Sequence, residues 1–127
     1  MASVEAIFYQ EKEGDVPVLD WLKRLETQDP KAYTKCTARI ELLEQRGHQL
    51  RRPQADSIGQ GLYELRIHHG RVHYRILYSF HGDSQAPLLS AFTKERRLPP
   101  IEIQRAQERR LKFDRNPQQH TYTPPQA

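Results

Sequence analysis

Residues Val4 to Tyr9 form a short apolar, β-prone run that predicts a first strand. Gly14-Asp15-Val16-Pro17 then marks a turn, with Pro17 placed to open a helix. Val18, Leu19, Trp21, Leu22 and Leu25 follow at helical spacing. Asp29-Pro30 is the next start signal, the Asp capping and the Pro taking the first helical position. Tyr33, Cys36, Ile40 and Leu43 mark one face of that second helix, and Gly47 sits where it should stop. Two amphipathic helices joined by a tight turn make a hairpin, and such a hairpin needs a surface to cover.

That surface is predicted downstream. Gly59-Gln60-Gly61 leads into Leu62-Tyr63-Glu64-Leu65-Arg66-Ile67-His68, which alternates by face. After a turn at His69-Gly70, the run Arg71 to Phe80 alternates again, with Val72, Tyr74, Ile76, Tyr78 and Phe80 on one side. Gly82-Asp83-Ser84 is another turn, and Leu88 to Thr93 completes a three-strand meander. Pro99-Pro100 opens a last helix carrying Ile103, Ala106, Arg110 and Phe113 near one stripe. Helices and strands are segregated rather than alternating. The expected class is α+β: a two-helix N-terminal hairpin packed on a mainly antiparallel four-stranded sheet, with a C-terminal helix. One domain over 1–113 is expected, followed by a flexible tail over 114–127, where Pro, Gln and Thr dominate and little apolar surface offsets ordering entropy.

Composition narrows the setting. The chain has 127 residues, 36% of them hydrophobic and 28% charged, which allows one core and a heavily charged surface. No apolar run approaches the roughly 20 residues of a membrane helix. Met1 to Ala6 has neither the basic start nor the apolar stretch of a secretory signal, and the lone Cys36 forms no internal disulfide. The expectation is a cytoplasmic protein. Its net charge of +4 is unevenly spread: Met1 to Gln45 holds six basic against nine acidic residues, and Arg46 onward holds fourteen against seven. The C-terminal two thirds therefore carries a field that attracts polyanions, and most of its cations are Arg, whose planar fork suits phosphate.

Period-2 geometry sorts the candidate chemistry. If Leu65 and Ile67 face the helices, then Glu64, Arg66 and His68 face away; by the same rule Arg71, His73 and Arg75 project from that opposite face. The third strand of the meander ends at Lys94, beside Glu95-Arg96-Arg97. A sheet face lined this way can grip a phosphate chain through charge-assisted hydrogen bonds, although any solvated sheet face is also charged. Imidazoles titrate near neutrality by type, so His73 and His68 are candidate acid and base, with Glu64 a third. No metal site is expected: at most His68 and His73 converge, no Cys or Asp completes a set, and the Arg side chains repel a cation. Tyr74, Tyr78 and Phe80 read as core, whereas Tyr63, at a strand start, is open to either face.

The stretches Gly61-Leu62-Tyr63-Glu64-Leu65-Arg66, Tyr74-Arg75-Ile76-Leu77-Tyr78 and Ala91-Phe92-Thr93-Lys94 together resemble the RelE/ParE superfamily of toxins, and more narrowly its phage-type HigB branch. Pro17 to Leu25 and the final helix after Pro99 fit the same pattern, so the likeness runs from about Val4 to Phe113. The resemblance implies a RelE-like fold and the toxin of a type II toxin–antitoxin pair. It implies an endoribonuclease that cleaves mRNA without a metal or other cofactor, usually on the ribosome, through 2′-hydroxyl attack on the adjacent phosphate. It also implies a HigA-like helix-turn-helix antitoxin as partner, with operator DNA contacted only through that antitoxin. On the family pattern Arg66, Arg75 and Lys94 occupy phosphate-handling positions. Arg71, Arg96, Arg97, Arg109, Arg110 and Tyr63 are the candidate RNA contacts. Two departures stand out: Gln54-Ala55-Asp56-Ser57 lacks a Lys that many relatives carry, and Glu95 stands where a second basic residue is common. The competing expectation is a non-nucleolytic protein, either a ParE-like gyrase inhibitor or a degenerate nucleic-acid binder.

Overall fold

The computed structural model describes residues 3–125; the first two residues of the N-terminal stretch and the last two of the expected tail lie outside the described residues. The elements are β1 (Glu5–Phe8), α1 (Pro17–Gln28), α2 (Pro30–Arg46), a single 3-10 turn (Gly47–Gln49), β2 (Ala55–Gly59), β3 (Leu62–His69), β4 (Val72–Tyr78), β5 (Gln85–Lys94) and α3 (Pro100–Arg115). Local chemistry explains the helix bounds. Pro17 and Pro30 sit in the first turns of α1 and α2, and the Ala32 N–H donates to Asp29 Oδ1 at 3.2 Å as an N-cap. No helix is long and apolar enough to cross a membrane among the described residues.

The class is α+β, but the sheet has five strands, in the order β1-β5-β4-β3-β2, and it is mixed. The expectation of four mainly antiparallel strands needs two corrections. First, Ala55–Gly59 is a strand, antiparallel to β3; it is short, polar and at an edge, so it carries almost no alternation to read. Second, β1 pairs with β5 in parallel, because the α1–α2 hairpin carries the chain from one edge of the sheet to the other.

Both sheet faces are covered, unequally. One face packs under α1 and α2: Leu65, Ile67, Tyr74, Ile76 and Leu88 meet Val18, Leu22, Leu25, Cys36, Ile40 and Leu43. On the other face, Leu62, Leu77, Leu89 and Phe92 pack against Ala106 and Phe113 of α3, together with Ile7 and Tyr9. An irregularity between β4 and β5, where Tyr78 pairs with Leu88 but Leu77 with Ser90, delivers Leu89 to this second core while Leu88 stays in the first. Val72, expected with the core row, is exposed, since it lies at the hairpin end beyond the reach of either helix layer. Helix α3 also reaches the β2–β3 turn. Gln107 Nε2 donates to the Gln60 carbonyl at 3.0 Å, and the Arg110 guanidinium lies 2.9 Å from where a Cβ on Gly61 (φ +79°) would stand.

The segment after Phe113, expected as a flexible tail, is instead packed as far as Tyr122. Thr121 bridges Tyr9, the His120 ring stacks on Tyr9 at 5.2 Å, the Gln10 N–H donates to the His120 carbonyl at 2.9 Å, and the Tyr122 N–H donates to the Phe8 carbonyl at 3.0 Å. The composition is polar, yet backbone bonds to an open edge strand and one buried imidazole hold it. Beside it, Glu11 joins β1 to α3: Tyr9 Oη donates to Oε1 at 2.9 Å, Arg109 Nε to Oε2 at 3.3 Å, and Lys112 Nζ lies 3.5 Å from Oε1.

Two expectations follow. Truncation after Arg115 uncovers Tyr9 and frees its edge, so the urea midpoint should drop by an amount equivalent to about 1–3 kcal/mol; an unchanged midpoint would show that the segment adds nothing. Burial pushes the Glu11 carboxyl up, but the Tyr9 hydroxyl, Lys112 and Arg109 together hold it below its ordinary value near 4.5. A carboxyl depressed in the folded state contributes stability above its unfolded pKa and loses it as pH falls through the folded one. Glu11→Gln should therefore lose less stability than the parent between pH 5 and more acidic conditions, measured by denaturation at a series of pH values.

Candidate functional site

Register places the site. On the α3-covered face, the pairs Arg66↔Arg75 and His68↔His73 lie directly across β3 and β4, and His73 in turn pairs with Lys94 of β5. Two cross-strand rows result: Arg66–Arg75–Phe92 and, toward the β3–β4 turn, His68–His73–Lys94. Helix α3 covers Leu62, Leu77, Leu89 and Phe92 but stops short of the charged residues, which leaves a basic trough at that end of the sheet.

Glu64 organises the trough. It is only 6% exposed, as is fitting for a charge with partners: Arg75 Nε donates to Oε1 at 3.1 Å and Arg66 Nε lies 3.5 Å from Oε2. Arg75 is itself buried and also donates from Nη1 to the Tyr74 carbonyl at 3.0 Å. Burial lowers the Arg75 pKa and Glu64 counters it, but a guanidinium stays protonated at any physiological pH. Two like charges on adjacent strands repel, and the carboxylate between them holds both in place. Both Glu64 oxygens thus face guanidinium groups, which places the carboxylate to hold the two arginines.

A cavity of about 290 Å³ opens here, lined by Arg39, Pro53, Gln54, Arg66, Ile67, His68, His73 and Arg75. Five of the six residues expected at the catalytic centre therefore converge: Arg66, Arg75, His68 and His73 on its wall, and Glu64 behind it. The sixth, Lys94, is beside His73 and two strands away from His68, but its Nζ donates to the carbonyls of Glu95 at 3.2 Å and Arg96 at 3.4 Å. The imidazole centroids of His68 and His73 are 5.9 Å apart. No cluster of three or more His, Cys, Asp or Glu able to hold a metal occurs among the described residues.

The expected RNA contacts divide. Arg71 is exposed at the β3–β4 turn. Arg96 and Arg97 lie in the loop between β5 and α3, on a second cavity of about 400 Å³ with Pro99 and Pro100. Arg109 is engaged inside the fold, donating from Nη1 to the Leu89 carbonyl at 2.7 Å as well as to Glu11, and Arg110 Nε donates to Gln107 Oε1 at 3.1 Å. Tyr63 is on the other face of the sheet, its ring 5.5 Å from Tyr78 and 5.1 Å from Phe80, because an odd-numbered β3 residue falls on the α1–α2 side. Three wall residues escaped sequence reasoning: Arg39 of α2, which donates to the Arg66 carbonyl, and Pro53 and Gln54 before β2. Arg39 sits next to Ile40 on the packed side of α2, and its only signal is a basic residue flanking an apolar stripe.

The family model described as phage derived protein Gp49-like (DUF891) matches residues 21–111, which takes in every element from within α1 to late α3. The chain belongs to this family. Gp49-like proteins are a family of RelE-like toxins, and membership implies an antitoxin partner. No curated protein matches the sequence. The matched span contains all six expected catalytic positions of this Gp49-like chain and all the wall residues of its cavity.

The buried carboxylate has a measurable consequence. Glu64→Ala strands Arg75 without its counter-ion and should cost about 3–5 kcal/mol in a denaturation experiment, far more than an exposed ion pair at about 0–1 kcal/mol. A loss under about 1 kcal/mol would mean that Glu64 is not the keystone of the trough.

Proposed function

We propose that this Gp49-like protein is the toxin of a type II toxin–antitoxin pair and acts as a metal-independent endoribonuclease on mRNA bound to the ribosome, in the manner of the HigB branch. The observation that carries this reading is the in-register Arg66–Arg75 pair beside the His68–His73 pair, on a sheet face left open by α3. Attack of a ribose 2′-hydroxyl on the adjacent phosphorus breaks the bond to the 5′-oxygen and leaves a 2′,3′-cyclic phosphate and a 5′-hydroxyl. Negative charge builds on the non-bridging oxygens, where the guanidinium groups of Arg66 and Arg75, held by Glu64, stabilise it. Proton transfer falls to His68 and His73, one removing the 2′-hydroxyl proton and the other protonating the leaving oxygen. Lys94 released from the Glu95 and Arg96 carbonyls reaches the incoming backbone, and Arg71, Arg96 and Arg97 extend the phosphate track. A HigA-like helix-turn-helix antitoxin neutralises the toxin and contacts operator DNA. Ribosome dependence suits a site with few groups, because the ribosome orients the message.

Expression without antitoxin should arrest growth and produce mRNA fragments with cyclic phosphate ends. Arg66→Ala and Lys94→Ala should each lower cleavage by about 10²–10³ while the circular dichroism spectrum is retained. Undiminished cleavage in both variants removes the assigned site. Arrest of DNA replication with intact mRNA establishes the gyrase-inhibitor reading instead.

A further inference from the structure

Arg66 is the less restrained member of the arginine pair. Arg75 is buried and bonds to both Glu64 and the Tyr74 carbonyl, whereas the Arg66 side chain is 36% exposed and lies 3.5 Å from Glu64 Oε2. Its strand offers less support as well. The register that pairs Ala55 with Leu65 brings Gln54 opposite Arg66, and such an antiparallel pair would exchange two main-chain hydrogen bonds. One of them is made, from the Arg66 N–H to the Gln54 carbonyl at 2.8 Å. The Gln54 N–H turns away to the Arg51 carbonyl at 3.2 Å, and Pro53 before it has no N–H to give. The Arg66 carbonyl is therefore left at the sheet edge without its ladder donor. Arg39 supplies one: its Nη1 donates to that carbonyl. Arg39 stands between Cys36 and Ile40, both buried in the core beneath α2, so the donor is mounted on a packed helix rather than on the segment before β2.

We infer that Arg39 is a positioning residue for Arg66, replacing the hydrogen bond that β2 does not make and fixing the main chain from which the Arg66 guanidinium is aimed into the trough. The inference rests on the nuclease reading for what that aim achieves, but the positioning is measurable without any cleavage. With the bond in place, β3 is held from both edges here. Leu65 and Ile67 pair with Ile76 and Tyr74 of β4, while Gln54 and Arg39 hold Arg66 from outside. A hydrogen bond from a charged donor is roughly twice as strong as a neutral one, which suits a lone contact standing in for a strand. Without it the outer edge keeps one tie at this point, the peptide plane after Arg66 tilts, and the guanidinium shifts against Arg75. A misplacement of about 1 Å is enough to cost up to about 10²-fold in rate.

NMR of the Arg66 and Arg75 side-chain Nε–H groups tests this in the full chain. Arg39→Met keeps the apolar stem and removes the donor; Arg39→Lys keeps a donor. In Arg39→Met the Arg66 resonance should shift and exchange faster with water while that of Arg75 holds, and Arg39→Lys should recover part of the parent spectrum. Should Arg39→Met fail to fold, the same comparison is made with Arg39→Gln, which shortens the side chain and removes its charge. An Arg66 resonance unmoved in the folded variant, or Arg66 and Arg75 disturbed alike, overturns the positioning role. If Arg66 responds as expected while the parent protein cuts no RNA, the positioning stands and the nuclease reading falls. Where cleavage occurs, Arg39→Met should lower kcat by about 10- to 100-fold with KM little changed. A loss confined to KM would mean that Arg39 binds RNA directly, and it too overturns the inference.

Discussion

A carboxylate between two guanidinium groups is the constraint on which the site depends. Arg66 and Arg75 lie directly opposite each other on adjacent antiparallel strands, an arrangement that like charge opposes. Glu64, two residues before Arg66 and on the same face, offers one oxygen to each. Because the carboxylate and Arg75 are both buried, their attraction is weakly screened and cannot easily be exchanged for water. The pair is therefore preorganised, and preorganised charge is what phosphoryl chemistry needs from a protein, since no solvent has to reorient as the transition state forms.

The rest of the fold serves to make one part of a sheet face dry and another wet. The α1–α2 hairpin covers most of the first face, and the opposite set of side chains is either covered by α3 or left to solvent. Helix α3 covers the apolar half of that second face, and its position is fixed from both ends. The β5–α3 loop sets its start beside Lys94, while Glu11, Arg109 and the packed segment through Tyr122 hold its far end against β1. The same helix thus builds a second core and defines the border of the trough. Arg109 and Arg110, which look like surface cations in the sequence, are part of that anchoring.

Most of the fold could be read from the chain because its signals are local. Proline and aspartate at helix starts, a 3.6-residue stripe, and strict alternation in β3 and β4 each depend on neighbours a few residues apart, and all survive in the structure. β2 could not be read, since an edge strand of Ala-Asp-Ser-Ile-Gly buries one side chain and has no apolar row. Nor could the parallel pairing of β1 with β5, which depends on the path of a whole helical hairpin. The tail misled for a related reason: polar composition measures apolar burial, but Thr121 and Tyr122 are held by backbone bonds that every residue type can make.

For the site, alternation was enough to put Glu64, Arg66, His68, His73 and Arg75 on one face, because the side-chain period of a strand is two whatever surrounds it. It could not say that Glu64 would be buried between the arginines, that Lys94 would turn to the carbonyls after its own strand, or that Tyr63 would join the aromatic packing under α2. Those depend on strand register and on which neighbour arrives at which height. Arg39 and Gln54 are the plainest case, one from a helix and one from a connecting segment, 15 positions apart in the chain and joined only through the backbone of Arg66. Which face carries charge was settled by the order of residues along each strand; which charges meet was decided by the distance in space between chain segments that share no local pattern.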